Sequence, residues 1–235
     1  MVKINEMIEF VGFNSKEHNL YLINRDAPSP QEKEIVEDIP FKQGVLDFSM
    51  ILGERIFKNR EITYEFLLLD NDYSDRSRFE TILKRELMPF GKNKLYDSHD
   101  SSYFWLGKCK SVEVEHDNKF DKLIATIVFD CYPFMFSLKK YFDDVWDSFD
   151  FNDGVASFTK YIVNGKKEII LVNNGTNAVK SEVKATSNMT IMQDKNKRIV
   201  NKSLVTSIVL NPGLNKIVVQ GEGIISFHWT SEVLA

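Results

Sequence analysis

The sequence predicts a mainly β fold with one helix, of the α+β class, divided into two domains. Three observations lead there. From Ile56 to Phe66 one set of positions (Ile56, Lys58, Arg60, Ile62, Tyr64, Phe66) alternates with a second, Phe57, Asn59, Glu61, Thr63 and Glu65. Strand side chains point alternately to opposite faces, so this pattern suits a strand with one face in a core and one exposed. A single stretch, from Ser74 to Met88, carries apolar residues at helical spacing. Beyond Ala156 the text changes to short strands separated by turns rich in Asn and Gly, the signature of an all-β sandwich of jelly-roll type.

Composition sets limits on what such a chain can do. It has 235 residues, is 43% hydrophobic, and carries 18 Phe, 8 Tyr and 3 Trp against 2 Cys and 6 Pro. That is enough for a full core and two domains, and the aromatic content favours packed β-structure over disorder. A formal net charge of −4 argues against a protein that grips nucleic-acid phosphates, which needs a basic face. No run of about 18 apolar residues is present to span a membrane. The start, Met1-Val2-Lys3-Ile4-Asn5-Glu6, lacks the apolar stretch of a signal peptide. The expectation is a protein made and kept in a cytoplasm, with Cys109 and Cys131 as reduced core thiols.

In chain order, Ile8 to Phe13 and Asn19 to Ile23 are expected as strands around the polar turn Asn14-Ser15-Lys16-Glu17. Arg25 to Glu34, with Pro28 and Pro30, reads as a loop. Ile35 to Phe41 and Leu46 to Leu52 continue the strands, and a long strand follows as far as Leu69. In the helix, Asp72 or Ser74 is the expected cap, Phe79, Ile82, Leu83 and Leu87 share one face, and Pro89 with Gly91 ends it. Lys94-Leu95-Tyr96, a polar turn at Asp97-Ser98-His99-Asp100 and the aromatic strand Tyr103 to Leu106 come next. Val112 and Val114 then alternate with Glu113 and Glu115, and Leu123 to Cys131 is apolar on both faces over much of its length, as in a central strand.

The strand pattern stops beyond Pro133, which places the division near Ser137 to Tyr141 and gives domains of residues 1–138 and 139–235. In the second domain the expected strands are Lys167 to Val172, Val179 to Ala185, Met189 to Gln193, Ser203 to Leu210, Lys216 to Gln220 and Ile224 to Trp229.

Catalysis leaves little trace. His18, His99, His116 and His228 are scattered, and no H-E-x-x-H, G-x-S-x-G, P-loop or G-x-G-x-x-G sequence is present. His99-Asp100-Ser101-Ser102 holds the letters of a hydrolytic triad, but triad members meet in space rather than in one turn. No catalytic residue, cofactor or metal is therefore assigned. The acidic run Asp143, Asp144, Asp147, Asp150 and Asp153 has a partial likeness to a calcium loop, but its Gly154 comes one position early. It reads instead as a solvated interdomain segment. Phe142, Trp146, Phe149 and Phe151 around it would suit a sugar platform, though such residues more often pin a linker to a core.

Taken together, an ordered series resembles a known family. Its pieces are Phe10-Val11-Gly12, the span Asp47 to Phe66 with its G-E-R and R-x-I-x-Y-x-F spacing, the helix Ser74 to Met88, Lys94-Leu95-Tyr96, the aromatic strand Tyr103 to Gly107, and Cys131-Tyr132-Pro133. In order and spacing these resemble the first domain of the distal tail protein (Dit) of long-tailed siphophages. The second domain resembles that family's galectin-like module, with Asn211-Pro212-Gly213-Leu214-Asn215 matching its P-G-x-N turn.

The resemblance implies a β-sandwich-like N-terminal domain followed by a galectin-like jelly-roll β-sandwich. It implies a structural virion protein, not an enzyme: a homohexameric ring at the distal end of the tail. Such a hub joins the major tail tube protein to a tail-associated baseplate or fibre protein, with the tape-measure protein as a further neighbour. DNA passes through its channel without specific binding, and assembly takes place in the bacterial host cytoplasm. A closed ring needs two different surfaces on each subunit that fit one another. The mixed-charge face of Glu54, Arg55, Lys58, Arg60 and Glu61 is the candidate for one of them. A reading from another class is a carbohydrate-binding adhesion module for host cell-wall saccharide. Trp229 and His228 stand in the last strand for it, but without the H-x-N-x-R spacing of galectin-type sites.

Overall fold

The computed structural model describes residues 5–51, 53–68, 73–117, 122–138, 149–150, 155–156, 158–194, 196–202 and 206–234. Among them the protein is mostly β, in several antiparallel sheets, with a single α-helix. The chain divides into two compact units, Met1–Met135 and Phe136–Leu234.

The first unit opens with β1 (Ile8–Phe10) and β2 (Phe13–Asn14), which pair antiparallel. The expected single strand from Ile8 to Phe13 is thus folded on itself. Val11 and Gly12 both have positive φ, 46° and 86°, as a two-residue hairpin turn requires, and Gly12 takes this conformation without steric cost. Then come β3 (Leu20–Asp26), a short hairpin of β4 (Val36–Asp38) and β5 (Val45–Asp47), and the long β6 (Arg60–Leu68). The helix α1 (Arg76–Leu87) follows a 3-10 turn at Tyr73–Asp75. Asp75 holds the cap position without a side-chain capping bond, and Asp72 lies outside the described residues. Leu83 and Leu87 are buried, with Phe79 packed against the same core, as the spacing predicts.

Three long strands complete this unit: β7 (Asn93–Asp97), β8 (Tyr103–Asp117) and β9 (Lys122–Ser137). β8 runs unbroken from the aromatic stretch through Val114. β9 continues past Pro133 to Ser137, so the strand does not end where the apolar alternation fades. In β9 burial alternates along most of its length rather than extending to both faces. Strand order is β2-β1-β7-β8-β9-β6-β3. Ile62, Tyr64 and Phe66 of β6 face a core shared with Phe10, Trp105, Ile127 and Phe129. The rings of Phe10 and Phe129 meet edge-on at 5.2 Å between centroids, and Tyr64 meets Phe129 at 6.1 Å.

Gly107 of β8 explains why the aromatic strand carries a glycine. A Cβ there would lie 2.5 Å from Sγ of Cys131 and 3.1 Å from the carbonyl of Asp130. Both cysteines are buried, free thiols. Burial pushes the Cys109 thiol up to about 11 and the Cys131 thiol up to about 12, so neither forms a thiolate near neutral pH.

The second unit holds the two-residue ladder β10 (Phe149–Asp150) and β11 (Val155–Ala156), then β12 (Lys160–Asn173), β13 (Val179–Ala185), β14 (Met189–Gln193), β15 (Asn196–Val200), β16 (Thr206–Leu210), β17 (Gly213–His228) and β18 (Glu232–Val233). β13 and β14 have the bounds the sequence predicts. β15 was not expected, because four of its five side chains are exposed and it has no apolar alternation. The expected strands Lys216 to Gln220 and Ile224 to Trp229 are one continuous β17.

Its middle bends at Gly221 and Gly223, with φ of 148° and 126°. Before the bend β17 pairs with β14, after it with β13, while β12 follows it throughout. One strand therefore serves two layers, and Val163, Leu171, Ile191, Ile208, Val219 and Phe227 fill the space between.

Candidate subunit interface

The five charged residues singled out in the sequence do not share one face. Arg60 begins β6 on the same side as Ile62, Tyr64 and Phe66, and only 4% of it is exposed. Its Nη2 donates to the carbonyl of Ala27 at 2.6 Å, and its guanidinium lies over the Trp105 ring, 4.6 Å from the centroid. Burial lowers its pKa from the ordinary arginine value. Arg60 is thus an interior cation, and its membership of an exposed contact face is corrected. Two-residue periodicity outranks charge here, because the long arginine stem packs as apolar surface while its head finds a carbonyl and a π-face.

The other four are exposed. Arg55 donates from Nε to Oε2 of Glu32 at 2.9 Å, and its Nη2 contacts the same oxygen. That bond holds the Glu32 carboxyl below its usual range and raises Arg55. The backbone fixes the pair: Lys33 N–H donates to the carbonyl of Ile56, Lys58 N–H to that of Gln31, and Glu32 bridges Phe57. Glu61 lies on the outer face of β6, where Lys110 of β8 contacts it. Beside it, Asn59 donates to Asp130 at 3.0 Å and Lys108 stands 3.9 Å from the same carboxylate. Glu54 and Lys58 face solvent. Arg55 and Glu61 therefore have intrachain partners.

A more pronounced surface lies just before them. Between Ile35 and Ile51 eight large apolar side chains are exposed: Ile35, Val36, Ile39, Phe41, Val45, Phe48, Met50 and Ile51. They sit on and around the β4–β5 hairpin, and no described part of the chain covers them. Its base is pinned by Ser49, whose hydroxyl accepts from Ile35 N–H at 2.9 Å, and by Phe48 N–H on the Ile35 carbonyl at 2.8 Å. Asp47 accepts from Ser49 N–H, and its pKa is lowered mainly by hydrogen bonds from Ser49. The sequence predicts strands over Ile35 to Phe41 and Leu46 to Leu52 and does not mark them as an exposed apolar surface. The missed signal is density: apolar residues on both sides of the alternation, in strands of three residues each.

The remaining candidates are placed as follows. His99 and Asp100 lie in a 3-10 turn, Ser98–Asp100, and Asp100 is held by Arg25 at 2.5 Å. Trp229 is 2% exposed and belongs to the core of the second unit, so its ring presents no face to a sugar. The His228 ring contacts the Ser226 hydroxyl at 3.1 Å. The acidic and aromatic stretch 142–154 lies outside the described residues, apart from the backbone of Phe149 and Asp150. Among the described residues no group of His, Cys, Asp and Glu could hold a metal ion, and no helix is long and apolar enough to cross a membrane.

No protein-family model and no curated protein matches this sequence. Solved structures do match. A chain of the phage P2 baseplate in its activated conformation with calcium aligns at 6% identity and a TM-score of 0.42, covering 100% of this chain and 99% of that one. The Dit protein (gp 19.1) of phage SPP1, described as a paradigm of the hub adsorption apparatus in phages infecting Gram-positive bacteria, aligns at 10% identity with a TM-score of 0.67. That alignment covers 97% of this chain and 99% of that one. The chain is therefore similar in fold, over nearly its whole length, to a distal tail hub protein.

Proposed function

We propose that this protein is a structural component of the distal end of a siphophage tail, and not an enzyme. In this reading six copies close into a ring around a channel for DNA. One face of the ring meets the major tail tube protein and the other a baseplate or fibre protein, with the tape-measure protein as a further neighbour. Residues 1–138 form the ring and residues 139–235 the outward galectin-like domain. The protein assembles in the bacterial host cytoplasm and ends in the virion. The observation that carries the reading is the fold shared with the SPP1 hub across 97% of the chain.

Two features support it. The apolar hairpin arm from Ile35 to Ile51 is a surface that a monomer gains nothing by exposing. A head-to-tail contact, in which the arm of one copy lies on a different surface of the next, closes into a ring when the rotation permits. The exposed members of the charged set, Glu54, Arg55, Lys58 and Glu61, flank that arm in sequence and supply its polar rim. Light scattering and electron microscopy of the purified chain test the proposal. A six-fold ring, alone or in exchange with monomer on dilution, is expected. A two-fold closed dimer, or a monomer that persists at high concentration, overturns it.

A further inference from the structure

The first unit carries two exposed apolar surfaces of opposite charge. One is the β4–β5 arm. Residues directly opposite each other in an antiparallel pair stand on the same side, so Val36, Asp38, Val45 and Asp47 share one face of the hairpin. All four are exposed. At the tip Phe41 stands wholly in solvent with a φ of 68°, a left-handed backbone that a bulky side chain rarely takes. From Glu34 to Gly53 the arm holds Glu34, Glu37, Asp38 and Asp47 against Lys42 alone.

The other surface is the turn from α1 into β7. Met88 and Phe90 there are 43% and 38% exposed. Arg85 precedes Met88 by three residues, on the same side of the helix, and Lys92 follows Phe90; both are exposed. No acid stands between Leu87 and Tyr96. The acids beside the turn are already engaged: Glu86 meets Nε2 of His18 at 2.9 Å, and Asp130 accepts from Asn59 at 3.0 Å.

We infer that the acidic arm of one copy docks on the basic turn of the next copy. This contact rests on the ring proposed above and names its two sides. They are distinct surfaces, as a head-to-tail contact requires. The arm leads into β6 and the turn into β7, with β8 and β9 between, so their roots stand about 14 Å apart at about 4.8 Å per strand. They are also level along the strands. Asn93 at the start of β7 pairs with Gly107, Gly107 abuts Cys131, and Cys131 pairs with Arg60 at the start of β6. Joining level surfaces needs little rise from copy to copy, and a rotation without rise closes where one with rise winds into a filament. Phe41, Val36 and Val45 would lose water against Met88 and Phe90, while Asp38 and Asp47 facing Arg85 and Lys92 would fix the register.

The test uses two variants of the full chain. Glu34→Lys with Asp38→Lys reverses the arm, and Arg85→Glu with Lys92→Glu reverses the turn. Either alone sets like charge against like and should weaken assembly at least about tenfold, with circular dichroism and melting unchanged. In an equal mixture each reversed arm meets a reversed turn and each natural arm a natural one. An alternating ring should then return, which misfolding of either variant cannot produce. A mixture that stays apart, or a single variant that assembles like the natural chain, overturns this contact while a six-fold natural ring keeps the hub reading. Filaments restored by mixing support the contact and overturn the ring. A natural chain that is monomeric at high concentration overturns both.

Discussion

Arg25 of β3 donates from Nε to Oδ2 of Asp97 at the end of β7, at 2.7 Å, although three strands separate β3 from β7 in the sheet. The contact shows that the sheet of the first unit curls until its far regions meet. Asp97 is almost wholly buried, and the Tyr64 hydroxyl donates to the same Oδ2 at 2.8 Å while His99 N–H donates to Oδ1 at 2.9 Å. Asp100, at the end of the same turn, holds the other end of the guanidinium. The pairing raises the pKa of Arg25 despite the opposing effect of burial. The turn that carries the letters of a triad is therefore a latch, and its acids serve the fold.

Removing one side of this latch leaves a buried charge without its partner. Arg25→Met should destabilise the first unit by about 3–5 kcal/mol, and Asp97→Asn should cost less because the amide still meets the Tyr64 hydroxyl. Urea unfolding followed by tryptophan fluorescence measures both. A change within about 0.5 kcal/mol for Arg25→Met, the range of an ordinary surface substitution, would show that the latch is incidental.

Gly107 and Cys131 form a close packing pair, so their substitutions should couple. Gly107→Ala alone should cost about 1–3 kcal/mol through overpacking. Cys131→Ala in the same chain should recover part of that loss, because it removes the sulfur 2.5 Å from the new methyl. A double-mutant cycle with no coupling would contradict the packing described.

Arg60 and Arg55 should respond differently to charge reversal. Arg60→Glu places a carboxylate against the Trp105 ring and the Ala27 carbonyl, and should unfold the first unit or cost it about 3–5 kcal/mol. Arg55→Glu breaks an exposed, solvent-screened pair with Glu32 and should leave the melting temperature nearly unchanged. Thermal melts of the two variants check this. If the proposed ring uses the arm, replacing Phe41 and Ile51 with Ser should shift the sizing profile to monomer while the melting temperature holds.

The buried thiols make stability fall at alkaline pH. An unfolded cysteine titrates near 9, whereas Cys131 titrates at about 12 in the folded chain. Folding then favours the protonated thiol, and this contribution is intact below pH 9 and lost as pH rises toward 12. Cys109, at about 11, adds in the same direction. Cys131→Ser keeps a protonated side chain across this range, so its denaturation midpoint should decline less between pH 8 and pH 10 than that of the natural chain. Both thiols should also resist a thiol reagent until urea is added.

Periodicity alone determined much of this protein. The face of α1 with Leu83 and Leu87, the core side of β6 and the bounds of β13 and β14 follow from local pattern. These are set by neighbours three, four or two residues away. The ordered motifs also pointed to the fold that the SPP1 hub shares, since turn and strand spacing repeat a topology even at 10% identity.

Tertiary structure decided the rest. Whether Arg60 faces water or core depends on Ala27 and Trp105, 33 and 45 positions away, which no local pattern reveals. The same alternation gives a buried β6 and an uncovered β4–β5 hairpin, because pattern states which residues share a face but not what lies against that face. β17 reads as two strands, since its glycines look like a break. Only unbroken pairing with β12 from Gly213 to Ser226, across both glycines, makes it one. Burial is a property of the neighbours a residue acquires, and those neighbours come from distant parts of the chain.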